Sequence, residues 1–161
     1  MKIWIDADAC PGAIKEIIFK AAERVKVETC LVANQPIKYP PSQYISAIQV
    51  PKGFDVADAY IVQNLVEYDL VITADIPLAD LVVKKGAVAI NPRGELYNEG
   101  NITERLSIRN FTQVLREGGL IQGGPPQFSA VDKQKFASTF DKQLTILLKK
   151  EKTKNESLFS S

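Results

Sequence analysis

Two aspartates, Asp6 and Asp8, close the first apolar run of the chain, Lys2-Ile3-Trp4-Ile5, and Ala9-Cys10-Pro11-Gly12 follows at once. A buried strand that ends in carboxylates and turns into a helix puts acid at the C-terminal rim of a parallel sheet, where open α/β folds hold their ligands. Like charges this close repel unless a cation sits between them. The cation suited to carboxylate oxygens is a hard divalent ion. The pattern recurs further on: Asp75 follows a second apolar strand, Asp80 lies in the helix after it, and Asp55 and Asp58, three apart, share a face at the start of another helix. In a parallel sheet all strand C-termini lie on one edge, so Asp6 and Asp75 converge if their strands are neighbours. Asp58 joins them if its helix starts at that edge. Convergent carboxylates suit one or two Mg²⁺ or Mn²⁺ ions, which activate water and stabilise charge in phosphodiester cleavage. Asp55 reads first as an electrostatic or capping residue of its helix, and Asp80 equally as a solvated helix residue.

The chain has no histidine, which excludes imidazole-based triads, histidine-ligated zinc and histidine general bases. Acid–base work falls to carboxylates, Lys, Tyr, Cys or bound water. Cys10, beside a helix N-terminus, is a candidate reactive thiol, although a small buried residue is the plainer reading. Arg93, in a turn after a strand, and Arg109 could each clamp a phosphate through a planar fork; surface ion pairing is the alternative for both. Lys84 and Lys85 close a helix and favour its dipole. Gly123-Gly124 lacks the following helix and Lys-Ser/Thr of a phosphate loop. Trp4 and the phenylalanines read as core, with no stacking stripe for single-stranded nucleic acid.

The elements that must position these residues alternate. Residues 3–5 form a short buried strand. Pro11 starts a helix that carries Ile14, Ile17, Ile18, Ala21, Ala22 and Val25 at helical spacing. Strands are expected over 27–33 and 45–50, separated by a proline-bearing loop, 34–42. A helix over 55–67, a strand over 69–73, a helix over 77–85 closed by Gly86, and a strand over 87–90 follow, then a turn at 91–94. Apolar strands alternating with helices argue for an α/β fold with a mainly parallel sheet covered on both faces. Helices near 103–117 and 130–150, the latter capped by Ser129, flank a Gly-Gly-Pro-Pro loop at 123–126.

At 161 residues and 45% hydrophobic, the chain can build one domain with a sizeable core, expected over 1–150. Residues 151–161 are expected to be a disordered tail. Net charge is only +1, but residues 1–80 hold 7 Lys/Arg against 11 Asp/Glu, a balance of −4, and residues 81–161 hold 13 against 8, a balance of +5. An acidic half beside a basic half suits a metal-dependent enzyme with a phosphate-bearing substrate; a lysine-rich tail is the simpler source of the surplus. Two cysteines are too few for a disulfide framework. No signal-peptide core or membrane-spanning stretch is present, so a cytoplasmic protein with no membrane association is expected.

Asp-Ala-Asp-Ala-Cys-Pro at 6–11, Phe-Asp-Val-Ala-Asp-Ala-Tyr-Ile at 54–61, Asp-Leu-Val-Ile-Thr-Ala-Asp-Ile-Pro-Leu-Ala at 69–79, Asn-Pro-Arg-Gly at 91–94 and Gly-Gly-Pro-Pro-Gln-Phe at 123–128 together resemble the YaiI/YqxD family, bacterial proteins of uncharacterised function with a PIN-like fold. The resemblance covers roughly 1–148. It implies a three-layer fold shared with metal-dependent ribonucleases, which is an association and not an activity. By position, Asp6 matches the first-strand acid of PIN-like nucleases, Asp58 the helix acid and Asp75 the acid after the later strand. Where many PIN domains carry a second acid two residues on, this chain has Pro77; Asp8 or Asp80 could compensate.

The leading expectation is a Mg²⁺- or Mn²⁺-dependent PIN-like nuclease acting on RNA, with Asp6, Asp58 and Asp75 as metal-holding catalytic acids, Asp8 or Asp80 assisting, and Arg93 and Arg109 on substrate phosphate. Two other readings stay open. One is a phosphatase of the haloacid dehalogenase type, with Asp6 and Asp8 as nucleophile–acid pair and Thr73 in its second motif; it lacks a later acidic motif, since Asp132 and Asp141 fall in the last helix. The other is an RNA- or protein-binding module with a vestigial acidic site.

Overall fold

In the computed structural model, which describes residues 1–53, 55–124 and 127–159, the apolar runs become β1 (Ile3–Asp6), β2 (Thr29–Ala33), β3 (Ile45–Gln49), β4 (Leu70–Ile72) and β5 (Val88–Ile90), all mutually parallel. The helices are α1 (Gly12–Val25), α2 (Val56–Asn64), α3 (Ile76–Lys84), α4 (Ile102–Glu117) and α5 (Ala130–Phe159). A two-residue strand that the sequence pattern did not signal, β6 (Leu96–Tyr97), pairs antiparallel with β5. The sheet order is β3-β2-β1-β4-β5-β6. From β1 the chain winds outward through β2 and β3, then returns through α2 to lay β4 against the other side of β1. That reversal opens a crevice beyond the C-terminal ends of β1 and β4, the place where doubly wound sheets bind ligands.

Strand residues alternate between two cores. Ile3, Ile5, Leu31 and Ile72 pack with Ile14 and Ile18 of α1 and Phe136 and Phe140 of α5. Trp4, Cys30, Val32 and Val71 face Ile61 of α2, Leu78 and Val82 of α3 and Ile102 of α4. The result is the expected three-layer PIN-like arrangement, with a mainly parallel sheet between two helical layers. At the N-terminal edge, buried Asp69 ties the strands together: it accepts hydrogen bonds from the backbone N–H groups of Lys2 (2.9 Å) and Val66 (3.0 Å) and from Trp4 Nε1 (3.1 Å).

Three expectations are corrected. The helix expected over 55–67 ends at Asn64, because buried Leu65 turns extended and Asp69 claims the Val66 amide. Helix α5, expected near 130–150, runs on to Phe159. Its Glu151 meets the Met1 ammonium, and Lys150 and Lys154 lie 5.9 and 5.7 Å from the Tyr68 ring, so packing supports a stretch whose composition alone reads as solvated. Phe111 is 65% exposed on α4 and is not core. Ser129 caps α5 as expected, in a reciprocal box with Asp132. Pro125 and Pro126 of the Gly-Gly-Pro-Pro loop, and Phe54, lie outside the described residues. No helix among the described residues is long and apolar enough to cross a membrane.

Candidate functional site

The crevice at the β1/β4 ends is acidic. Asp6 is the last residue of β1, and Asp75 caps α3, its carboxylate accepting the Leu78 N–H at 2.9 Å. Buried Thr73 joins the two. Its hydroxyl donates to Asp6 Oδ2 at 2.9 Å and accepts the Asp75 N–H at 3.0 Å. One side chain thereby links the acid that ends β1 to the acid that caps α3.

The third contribution comes from α2, which starts at the same edge. Asp55, Asp58 and Asp75 each place a carboxylate oxygen within 4.8 Å of the others. Asp55 sits at the cap position of α2 with left-handed backbone (φ 61°), yet its side chain caps nothing. The expectation that Asp55 serves as a cap is therefore corrected: its carboxylate belongs to the acidic cluster. The Asp55/Asp58 spacing was the sequence signal for this, since residues three apart share a helix face.

The electrostatics follow from crowding. Burial, then the charges of Asp75, Asp6 and Asp55, and a hydrogen bond with Asp75 push Asp58 up to about 7. Asp6 is also raised, chiefly by burial; the Thr73 hydroxyl works against that, and Asp75 and Asp8 add to it. A carboxyl group raised this far by its acidic neighbours is under-compensated, and a divalent cation would relieve the same repulsion. Oxygens sharing an octahedral Mg²⁺ at about 2.1 Å lie roughly 3–4 Å apart, so the cluster fits such an ion with little adjustment.

The remaining sequence candidates fall around this centre. Asp8 is exposed, and its carboxylate accepts the Asn34 N–H at 2.9 Å. Asp80 pairs with Lys84 at 2.8 Å across one helical turn. Arg93, in the turn after β5 on the same sheet edge, pairs with Asp132 at 3.0 Å. Arg109 lies with Arg105 and Arg116 along a groove that reaches Ile76, next to Asp75. Cys10 is buried, which pushes its thiol up to about 12 and leaves it protonated, so the structure gives no support to a reactive thiolate. Thr73, which sequence reasoning considered only as part of a phosphatase motif, is instead the link between the two strand-end acids.

A family model described as "Uncharacterized BCR, YaiI/YqxD family" matches residues 4–146. A "UPF0178 protein" of Dechloromonas aromatica is 60% identical over 144 residues, 89% of this chain and 96% of that relative. One of Geobacter metallireducens is 56% identical over 149 residues, covering 92% and 96%. One of Myxococcus xanthus is 53% identical over 151 residues, covering 94% and 99%. No solved structure matches the chain.

Proposed function

The chain belongs to the YaiI/YqxD family, and on that footing we propose that its acidic edge hydrolyses RNA phosphodiesters with a bound Mg²⁺ or Mn²⁺. The observation that carries this reading is the convergence of Asp55, Asp58 and Asp75 within 4.8 Å, at the point where the winding of the sheet reverses. When bound, the ion supplies water activation and charge neutralisation at the phosphate. The residues of the chain do the rest. Asp55, Asp58 and Asp75 would hold the ion, and Asp58 would bind it in its ionised form. Asp6, held by Thr73, is a further acid at the same edge that can orient water. Asp55 supplies from α2 the third carboxylate that the Pro77 position lacks. Arg109, and Arg93 where it is held by Asp132, offer guanidinium forks to substrate phosphates.

The test is incubation of a 5′-labelled single-stranded oligoribonucleotide with wild-type protein and with Asp75→Asn, in Mn²⁺ and in EDTA. Cleavage by the wild type in Mn²⁺, lost in EDTA and in the variant, is the expected result. Absence of cleavage by Mn²⁺-loaded wild type, or equal cleavage by the variant, would overturn the reading and favour the binding module. A beryllofluoride adduct on Asp6 would point to the phosphatase.

A further inference from the structure

A groove of about 1220 Å³ runs between α1 and residues 37–41, on the helical layer opposite α2 and α3. Its start is tied to the acidic edge. Gly12, the first residue of α1, lines it, and the loop that forms its far wall begins at Asn34, whose N–H is held by Asp8. The charge of Lys15, one turn into the groove, is felt at Cys10, four residues from Asp6.

The groove chemistry is specific. Lys15 and Lys20 project from α1, and Lys38 from the facing loop. Among the described residues none of the three takes part in an ion pair within 4 Å. Beside Lys38 stands Tyr39, 42% exposed, followed by Pro40 and Pro41. The prolines hold that segment extended, so the ring stays in the groove instead of folding into the core. Lys15 and Lys20, five residues apart on α1, both line the groove, more than one helical turn from each other. Glu16 and Glu23 share the α1 wall, leaving a net balance of one positive charge. The volume exceeds the ~300–1,000 Å³ of sites that enclose a single small molecule, which favours a length of polymer. Unpaired cations spaced along a channel beside an exposed aromatic ring are the elements of a single-strand nucleic-acid track.

We propose that this groove binds a single-stranded segment of an RNA, phosphates on Lys15, Lys20 and Lys38 and a base stacked on Tyr39. The inference rests on the reading of the acidic edge as a phosphodiester site and adds where the strand beyond the scissile phosphate lies.

Binding is measured without cleavage by fluorescence anisotropy of fluorescein-labelled hexauridylate in EDTA. Wild type should bind. Tyr39→Ala should weaken binding about tenfold. Lys15→Gln/Lys38→Gln should lower the slope of log Kd against log salt by about 1.4. Gly12→Leu tests the path independently of charge: a Cβ there meets nothing within 4 Å, so a larger side chain fits without disturbing the fold and, at a position that lines the groove, should also weaken binding. Circular dichroism checks that each variant is folded. Loss of binding in the groove variants with no cleavage by any protein would uphold the groove and sink the nuclease reading. Cleavage of hexauridylate with unchanged KM in the groove variants would do the reverse. No binding by the wild type, unchanged binding in all three groove variants, or equal affinity for an RNA duplex would overturn the proposal.

Discussion

Replacing Asp58 by Asn should stabilise the metal-free protein, and only above a defined pH. In the native state Asp58 sits at about 7, against 3.8 for an unperturbed aspartate, because of burial first and then the charges of Asp75, Asp6 and Asp55. The native state therefore binds more protons than the unfolded chain between pH ~4 and ~7, so stability falls as pH rises through that window, and the cost is full above it. A shift of this size converts to about 4 kcal/mol at ~1.4 kcal/mol per pH unit; Asp58 is only partly buried, and screening by water reduces this to about 1–2 kcal/mol. Asn keeps the side-chain shape and a hydrogen bond to Asp75 but never ionises. At pH 8 in EDTA, Asp58→Asn should be more stable than wild type by that amount, a rise of about 3–6 °C in Tm for a domain of this size. The difference should shrink toward zero as pH falls to about 4. Urea denaturation read by the fluorescence of Trp4, the one tryptophan, measures it, and comparing variant with wild type at each pH cancels the other titrating groups. Saturating Mn²⁺ should reverse the order, since only wild type gains the full binding energy. A variant no more stable than wild type at pH 8 in EDTA would refute the claim that these carboxylates are crowded and uncompensated.

Two further substitutions separate the site from the scaffold. Thr73→Val removes the hydroxyl between Asp6 and the Asp75 N–H; it should cost about 1–2 kcal/mol by chemical denaturation and lower Mn²⁺ affinity about tenfold by calorimetry, as loss of an orienting partner does. Asp69→Ala leaves Trp4 Nε1 and the N–H groups of Lys2 and Val66 without their acceptor; it should cost about 3 kcal/mol or more. Because Asp69 lies at the opposite edge of the sheet, the folded fraction of that variant should bind Mn²⁺ as wild type does.

What the sequence disclosed and what it hid have physical reasons. β1, β4 and β5 were legible because strands buried on both faces read as short apolar runs, with acids following β1 and β4; β2 was legible from alternation and β-rich composition. α3 carried its own punctuation, with Pro77 in the first turn and Gly86 after the last. β6 was not legible, since two residues carry no period. The direction of the Asp55 side chain depends on a left-handed backbone turn and on where α2 enters, neither of which is a local propensity. The length of α5 depends on Met1 and Tyr68, more than 80 residues away in sequence. The exposure of Phe111 depends on which face of α4 meets α3. That Tyr39 lines a groove with Lys15 and Lys20 depends on the loop 37–41 packing along α1. Local pattern carried the framework, whereas the details of the site came from long-range packing.

The central claim is that Asp55, Asp58 and Asp75 form one cation site. A calorimetric Mn²⁺ titration of wild type beside Asp75→Asn tests it most directly, at pH 7.5, where the proton on Asp58 is readily displaced. Binding in the micromolar to submillimolar range, accompanied by proton release and abolished by the substitution, is the expected result. No binding by the wild type, or binding that Asp75→Asn leaves unchanged, would contradict it.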